Sequence, residues 1–277
     1  MKLQRGQTVV LTGASGGLGT YMTRALAGFD VRLALVAHPG KGLEDLAASI
    51  KKDGHPATIF TTDLRMADER RRLIQDIQDK LGPIDVLINN AGVEFTSYYH
   101  ELTAEQIGDV LKVNLEAPMM LSHLVLPGML ERQRGHIVNI SSLAGKSGPA
   151  FQEPYAATKA ALIAFTASLR GTYRGTGVSA TVVTPGFVEA GIYRHLTERT
   201  GCKAPALLGT SRPEKVAQAI VRAIEQNLPE IIVNPYPVRP LLALSTLIPP
   251  LGDRINDWTG ANRFFRKVVV ANKKQST

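Results

Sequence analysis

A short β-branched run, Thr8-Val9-Val10-Leu11, leads directly into Thr12-Gly13-Ala14-Ser15-Gly16-Gly17-Leu18-Gly19 and then into Leu18, Tyr21, Met22, Ala25, Leu26 and Phe29 at helical spacing. A continuous apolar run bounded by a turn reads as a strand buried on both faces, which belongs in a parallel sheet. Parallel strands need crossover connections, and this one starts at a glycine turn and goes on as an amphipathic helix. The unit repeats along the chain. Further strand-like segments lie at 31–36, 58–62, 84–88, 135–142, 178–183 and 230–233, with helical stretches between them. Strict β/α alternation predicts an α/β fold: a Rossmann-type, doubly wound, parallel seven-stranded sheet with helices on both faces. A tight turn alone would call for glycine. Between strand and helix, however, such a loop also lets backbone N–H groups approach a pyrophosphate at the helix N-terminus.

The remaining composition narrows the classes. One cysteine, Cys202, excludes an internal disulfide and fits a reducing compartment. The first seven residues run into the strand without a signal-like apolar core, so a cytoplasmic location is expected. No His/Cys/carboxylate cluster argues for a metal. The net charge is +8, but residues 235–277 carry seven cations against two carboxylates, so most of the surplus belongs to this tail. The tail has no recognisable nucleic-acid reading motif, and nucleic acid is not expected as a partner.

The strand ends carry the candidate chemistry. After the second strand come Ala37 and His38, with Lys41 close behind, where a carboxylate would hold an adenosine 2′-hydroxyl. No carboxylate and two potential cations favour NADP(H), with NAD(H) as the alternative. Asp63-Leu64 follows the third strand, suited to an adenine amino group or to capping the next helix. The fourth delivers Asn89-Asn90-Ala91-Gly92, a close path for a ribose or a plain turn. A helix is expected over 103–132, with Thr103 and Gln106 as a capping box and a kink near Asn114 and Pro118. Asn114 there either holds a water or satisfies the kink. The fifth strand ends in Ser141-Ser142. Tyr155 and Lys159 sit four apart on a helix and so share a face, where an ammonium would lower the pKa of the phenol.

Thr12-Gly13-x-x-x-Gly17-x-Gly19, Asn89-Asn90-Ala91-Gly92, Asn114, Ser142, Tyr155-x-x-x-Lys159 and Pro185-Gly186 stand in the order and spacing of a known family. Over residues 7–234 the chain resembles the short-chain dehydrogenases/reductases. The resemblance implies an NAD(P)(H)-dependent oxidoreductase acting between a ketone and a secondary alcohol. Tyr155 would be the general acid/base, Ser142 would hold the carbonyl oxygen, Lys159 would bind the nicotinamide ribose and Asn114 would hold a water. Gly13, Ser15, Gly17, Leu18, Gly19, His38, Asp63, Leu64, Asn90, Ala91, Gly92, Pro185, Gly186 and Val188 would bind the cofactor with Tyr155 and Lys159. Ser142, Tyr155, Phe187 and Ile192 would meet the substrate. A homodimer or homotetramer is implied as well. The competing class is a non-catalytic dinucleotide-binding redox sensor or scaffold, against which the intact Ser142, Tyr155 and Lys159 argue.

Two departures stand out. Ala190 occupies the place where members often carry a threonine for the nicotinamide amide. Residues 235–277 form an extension beyond the dinucleotide-binding and catalytic domain of 1–234. Its apolar stretch 240–251 is too short for a bilayer, which takes about 20 residues, and Trp258, Phe264 and Phe265 follow among basic residues. It reads as a flap over the substrate pocket, a subunit interface or a membrane-surface contact. The largely apolar segment after Gly186 (Phe187, Val188, Ile192, Tyr193, Leu196, then Leu207 and Leu208, with Arg194 and His195) points to a lipophilic substrate. Glu94 and Glu153 are candidate polar contacts.

Overall fold

The computed structural model describes residues 2–55 and 57–276, apart from the side chains of Lys41, Gln275 and Ser276. Strand β1 (Thr8–Thr12) is buried throughout and enters helix α1 (Gly17–Ala27) through the glycine loop. Then follow β2 (Arg32–Ala37), α2 (Lys41–Lys52), β3 (Ala57–Thr61), α3 (Ala67–Leu81) and β4 (Ile84–Asn89). The strands pair in parallel in the order β3-β2-β1-β4-β5-β6-β7, where β5 is Gly135–Ile140, β6 Val178–Pro185 and β7 Glu230–Val233. Because the chain reverses direction across the sheet between β3 and β4, a crevice opens above β1 and β4 at their carboxyl ends. Thr12, Asn89, Ile140 and Pro185 all end there.

The long helix expected over 103–132 is not continuous. The Thr103/Gln106 capping box starts α4 (Ala104–Leu111), as expected, but a π-helical turn at Lys112–Glu116 separates it from α5 (Ala117–Glu131). In that turn the Ala117 N–H donates to the Lys112 carbonyl, five residues back. Pro118 accounts for it: lacking an N–H, it cannot serve the carbonyl of Asn114, and its ring would press on that carbonyl in a regular α-helix. The kink therefore falls at Asn114, ahead of the proline.

Helix α6 (Ala144–Ser147) is a single turn that leads to α7 (Glu153–Thr172), started by Pro154 in its first turn. Helix α8 (Gly191–Thr200) follows β6, and α9 (Pro213–Gln226) buries Val216, Ile220, Ala223 and Ile224 against the sheet, a stripe at helical spacing. The extension folds as α10 (Arg239–Leu247), α11 (Pro249–Trp258) and α12 (Ala261–Ser276). Phe264, Phe265 and Val268 of α12 form a small third core with Leu196 of α8, beside Phe187, Ile192 and Tyr193. Phe187 and Phe264 meet edge to face at 5.1 Å. Asn256 donates to the Ser147 carbonyl at 2.8 Å, the Asn262 side chain accepts from Ala150 N at 2.9 Å, and Lys273 reaches Glu101 at 2.5 Å. Polar ties on several sides thus hold the extension to the rest of the chain.

Candidate active site

Thr12, the last residue of β1, organises the crevice. Its hydroxyl accepts from Asn90 N at 3.0 Å and Ala91 N at 3.1 Å, while the Asn90 side chain donates to the carbonyls of Thr12 and Gly13. The segment after β4 is thereby locked to the glycine loop. Two glycines in the loop have packing reasons beyond phosphate access. A Cβ at Gly19 would lie 2.1 Å from the Gly13 carbonyl, and one at Gly17 would lie 2.1 Å from Gly191 N. The start of α8 therefore sits directly on the glycine loop, joining the expected substrate segment to the expected cofactor loop.

On the other wall, α7 carries Tyr155 and Lys159 one above the other. The Lys159 ammonium is only 4% exposed, donates to the Ile140 carbonyl at 2.9 Å and stands 5.6 Å from the centroid of the Tyr155 ring. Burial brings this ammonium down to about 8. Burial also pushes the Tyr155 phenol up to about 12; a hydrogen bond with Ser142 pulls the other way, and the Glu94 carboxylate adds to the rise. The phenol thus stands above its ordinary value, not below it as the spacing to Lys159 predicts. Ser142 is placed by the turn into α6, where its hydroxyl accepts from Ala144 N at 3.2 Å.

Asn114 is fully buried in the π turn. Its side chain accepts from Val93 N at 2.8 Å and donates to the Val93 carbonyl at 2.9 Å, so it grips the backbone just past Gly92. A Cβ on Gly92 would come 3.3 Å from that side chain and 3.6 Å from the Lys159 nitrogen, so these three residues meet. The side chain thus serves the Asn90–Val93 segment, while the backbone carbonyl of Asn114, which Pro118 cannot serve, is the group left for a water.

One cavity of about 710 Å³ collects most of the expected residues. Gly13, Gly17, Leu18, Asn90, Ala91 and Gly92 line one end, and Ser142, Tyr155, Lys159, Pro185, Gly186 and Val188 the middle. Phe187 and Ile192 line the far end with His195 and Leu208. Ala190 also lines it, buried at the start of α8, and brings no polar side-chain atom. Ser15, Gly19, His38, Asp63 and Leu64 do not line this cavity. Ser15 faces Gly42 at the start of α2, and His38 is exposed at the end of β2. Asp63 is held by the Arg65 guanidinium at 2.7 Å, which keeps its carboxyl below the usual range, and Leu64 packs into the core. The side chain of Lys41 lies outside the described residues. Leu207 and Arg194 are exposed away from the cavity, and Glu153 is a surface residue.

The structure adds Gln152, which the motifs did not single out. It is 3% exposed and lines the cavity, and its amide donates to Glu94 at 2.6 Å and to Thr96 at 2.7 Å. Burial raises the Glu94 carboxyl, against the pull of the Thr96 and Gln152 hydrogen bonds. Glu94 therefore stands behind Gln152 instead of meeting a substrate directly. Gln152 precedes Tyr155 by three residues, and that spacing is the signal that would have found it.

The residues present fit a nicotinamide dinucleotide. A buried ammonium has three donors, and Lys159 spends one on Ile140; two remain for vicinal ribose hydroxyls in the cavity it lines. The glycine wall opposite offers backbone without side chains.

Comparison with known proteins agrees with this geometry. The sequence model of the short chain dehydrogenase family matches residues 7–201. The ketoacyl reductase HetN of Nostoc sp. (strain PCC 7120 / SAG 25.82 / UTEX 2576) is 42% identical over 267 residues, which span 95% of this chain and 92% of that protein. Among solved structures, a variant of the actinorhodin polyketide ketoreductase with NADPH superposes at a TM-score of 0.78, with 29% identity, over 84% of this chain and 97% of that one. A metagenomic short-chain oxidoreductase in complex with NADP superposes at 0.72, again with 29% identity, over 85% of this chain and all of that one.

Proposed function

Because the chain belongs to the short-chain dehydrogenase family, we propose that this oxidoreductase reduces a lipophilic ketone to a secondary alcohol with NADP(H), using Tyr155 as the proton donor. The observation that carries this reading is the meeting of Ser142, Tyr155 and Lys159 in a cavity whose far end is closed by Phe187, Ile192, Leu208 and Phe265. Apolar walls with a few convergent polar groups suit a lipophilic carbonyl. The relative described as a ketoacyl reductase and the ketoreductase with NADPH support the same reaction class.

When bound, the cofactor supplies the hydride. The protein's own part is to hold and move one proton. Ser142 donates to the carbonyl oxygen and sets its position, a contact that strengthens as charge develops there. Tyr155 protonates that oxygen. Held near 12, the phenol stays loaded at every working pH, and the nascent alkoxide is a far stronger base than a phenolate. Lys159 holds the ribose with its two unspent donors, and Asn114 keeps the Asn90–Val93 wall in place. NADP(H) over NAD(H) is supported by the exposed His38 and the absence of a carboxylate at the end of β2. Exposed Leu111, Met119 and Met120 on α4 and α5 support the homo-oligomer that the family resemblance implies. We read the extension as the roof of the substrate end.

NADPH consumption against aliphatic, aromatic and steroid-like ketones tests the proposal. Turnover is expected with at least one lipophilic class, and Tyr155→Phe should lower it by a factor of about 10²–10⁴ with cofactor affinity retained. Loss of cofactor affinity together with activity would mean a structural role for the phenol.

A further inference from the structure

Thirteen large hydrophobic side chains stand exposed among the described residues, and six of them, Leu207, Tyr236, Leu244, Leu247, Ile248 and Trp258, belong to or flank the segments that cover the cavity. The helix pair α10–α11 has two apolar sides. Its inner side lines the cavity with Leu241, Leu242, Ser245, Pro249 and Ile255. Its outer side turns Leu244, Leu247 (78% exposed) and Ile248 (48%) to solvent, and α11 adds Trp258 (68%) beside the exposed Asp253, Arg254 and Asp257. Residues 240–252 contain no ionisable side chain at all. Leu244, Leu247 and Ile248, three and four residues apart, form an exposed apolar patch, and such a patch on a surface element marks a docking site.

Two observations identify what it docks on. The extension carries a surplus of five positive charges, and α12 turns Arg263, Arg266 and Lys267 outward while Phe264, Phe265 and Val268 hold it to α8. A second copy of the chain would bring two such surpluses together, whereas an anionic surface is attracted by each. The outer apolar face also backs directly onto the apolar end of the cavity, so a lipophilic molecule leaving a bilayer at α10–α11 has one helix layer to pass. Among the described residues no helix is long and apolar enough to cross a membrane, which leaves lying on the surface.

We propose that α10 and α11 dock, apolar face down, on an anionic lipid bilayer and that the cavity beneath them draws its ketone from that bilayer. The delivery role rests on the lipophilic-substrate reading above; the docking does not. Trp258 is the chain's only tryptophan and lies on the proposed face, so its fluorescence reports contact directly.

The test adds vesicles to the full-length protein, either phosphatidylcholine alone or with about one lipid in three replaced by phosphatidylglycerol. The expected result is a blue shift of Trp258 emission and co-sedimentation with the anionic vesicles, both reversed by salt. The double variant Leu247→Glu/Ile248→Glu should lose about tenfold or more in vesicle partitioning. Its NADPH oxidation with a small water-soluble ketone should be unchanged, because neither side chain lines the cavity. Unchanged emission and no co-sedimentation of the wild type would overturn the proposal. So would a lipid-free assembly whose mass, measured by light scattering, falls in the double variant, since that would make the face a subunit interface. Docking with no turnover of any ketone would overturn the delivery role.

Discussion

Lys159→Met should make the protein more stable while removing its activity. Lys159 is nearly isosteric with methionine, is almost fully buried, and has its pKa brought down by burial from 10.5 to about 8. At 1.36 kcal/mol per pKa unit, that shift corresponds to about 3 kcal/mol by which the folded state disfavours the charged amine. The unfolded chain keeps its proton up to the ordinary lysine value of 10.5, whereas the folded chain releases it near 8. Between those values unfolding takes up a proton, so the contribution of Lys159 to stability rises with pH across that window. Below it both states are charged, and the full penalty stands at neutral pH. Methionine removes the penalty but also the hydrogen bond to the Ile140 carbonyl, a loss of about 1 kcal/mol. The net gain at pH 7 is about 2 kcal/mol, or roughly 5 °C in Tm for a chain of this size.

The assay is urea unfolding of wild type and Lys159→Met side by side at neutral pH and near pH 10. Every other titration is common to both proteins and cancels in the difference. The advantage of the variant should be largest at neutral pH and vanish or reverse at the alkaline point. Saturating NADP(H) should also reverse the order, because only the wild type gains the full linkage from binding. A variant destabilised by about 1 kcal/mol or more at both pH values would refute the reasoning: the ammonium would then be well solvated, or paired by groups that offset its burial.

Other changes separate neighbouring roles. His38→Asp should move the NADP/NAD preference toward NAD, read as a ratio of kcat/KM values; an unchanged ratio would mean the end of β2 does not face the ribose. His38 is the position to change because Ala37, beside it, is packed in the core, where a carboxylate would test folding instead. Gln152→Leu removes an amide donor that holds down the Glu94 carboxyl, so that group should rise further and an acid limb in kcat/KM should move to higher pH. A pH profile identical to that of the wild type would show that the amide does nothing for the carboxylate.

What could be read from the sequence divides along a physical line. Continuous apolar runs and a glycine turn are local signals, so the strands fell close to where they were expected, with β2 and β3 displaced by only one residue. The shared face of Tyr155 and Lys159 is helical geometry and needs no tertiary information. Asn114 is different. Its position at the kink was legible, yet its partner Val93 lies 21 positions back and meets it only once α5 packs against β4 and the π turn against α7. The roof is different again: residues 235–277 showed their composition, but whether an apolar stretch folds over a cavity or leaves it open depends on Phe264 and Phe265 finding Leu196. That placement puts residues of the extension along the cavity that Tyr155 and Lys159 also line. A spacing of four residues makes attraction between an amine and a phenol available, and its size is set by the medium around the pair. Here burial drives the two groups apart in pKa, the phenol up and the amine down. Because residues of the extension line the cavity in which Tyr155 and Lys159 stand, truncating it is predicted to admit water and to move both titrations back toward their ordinary values.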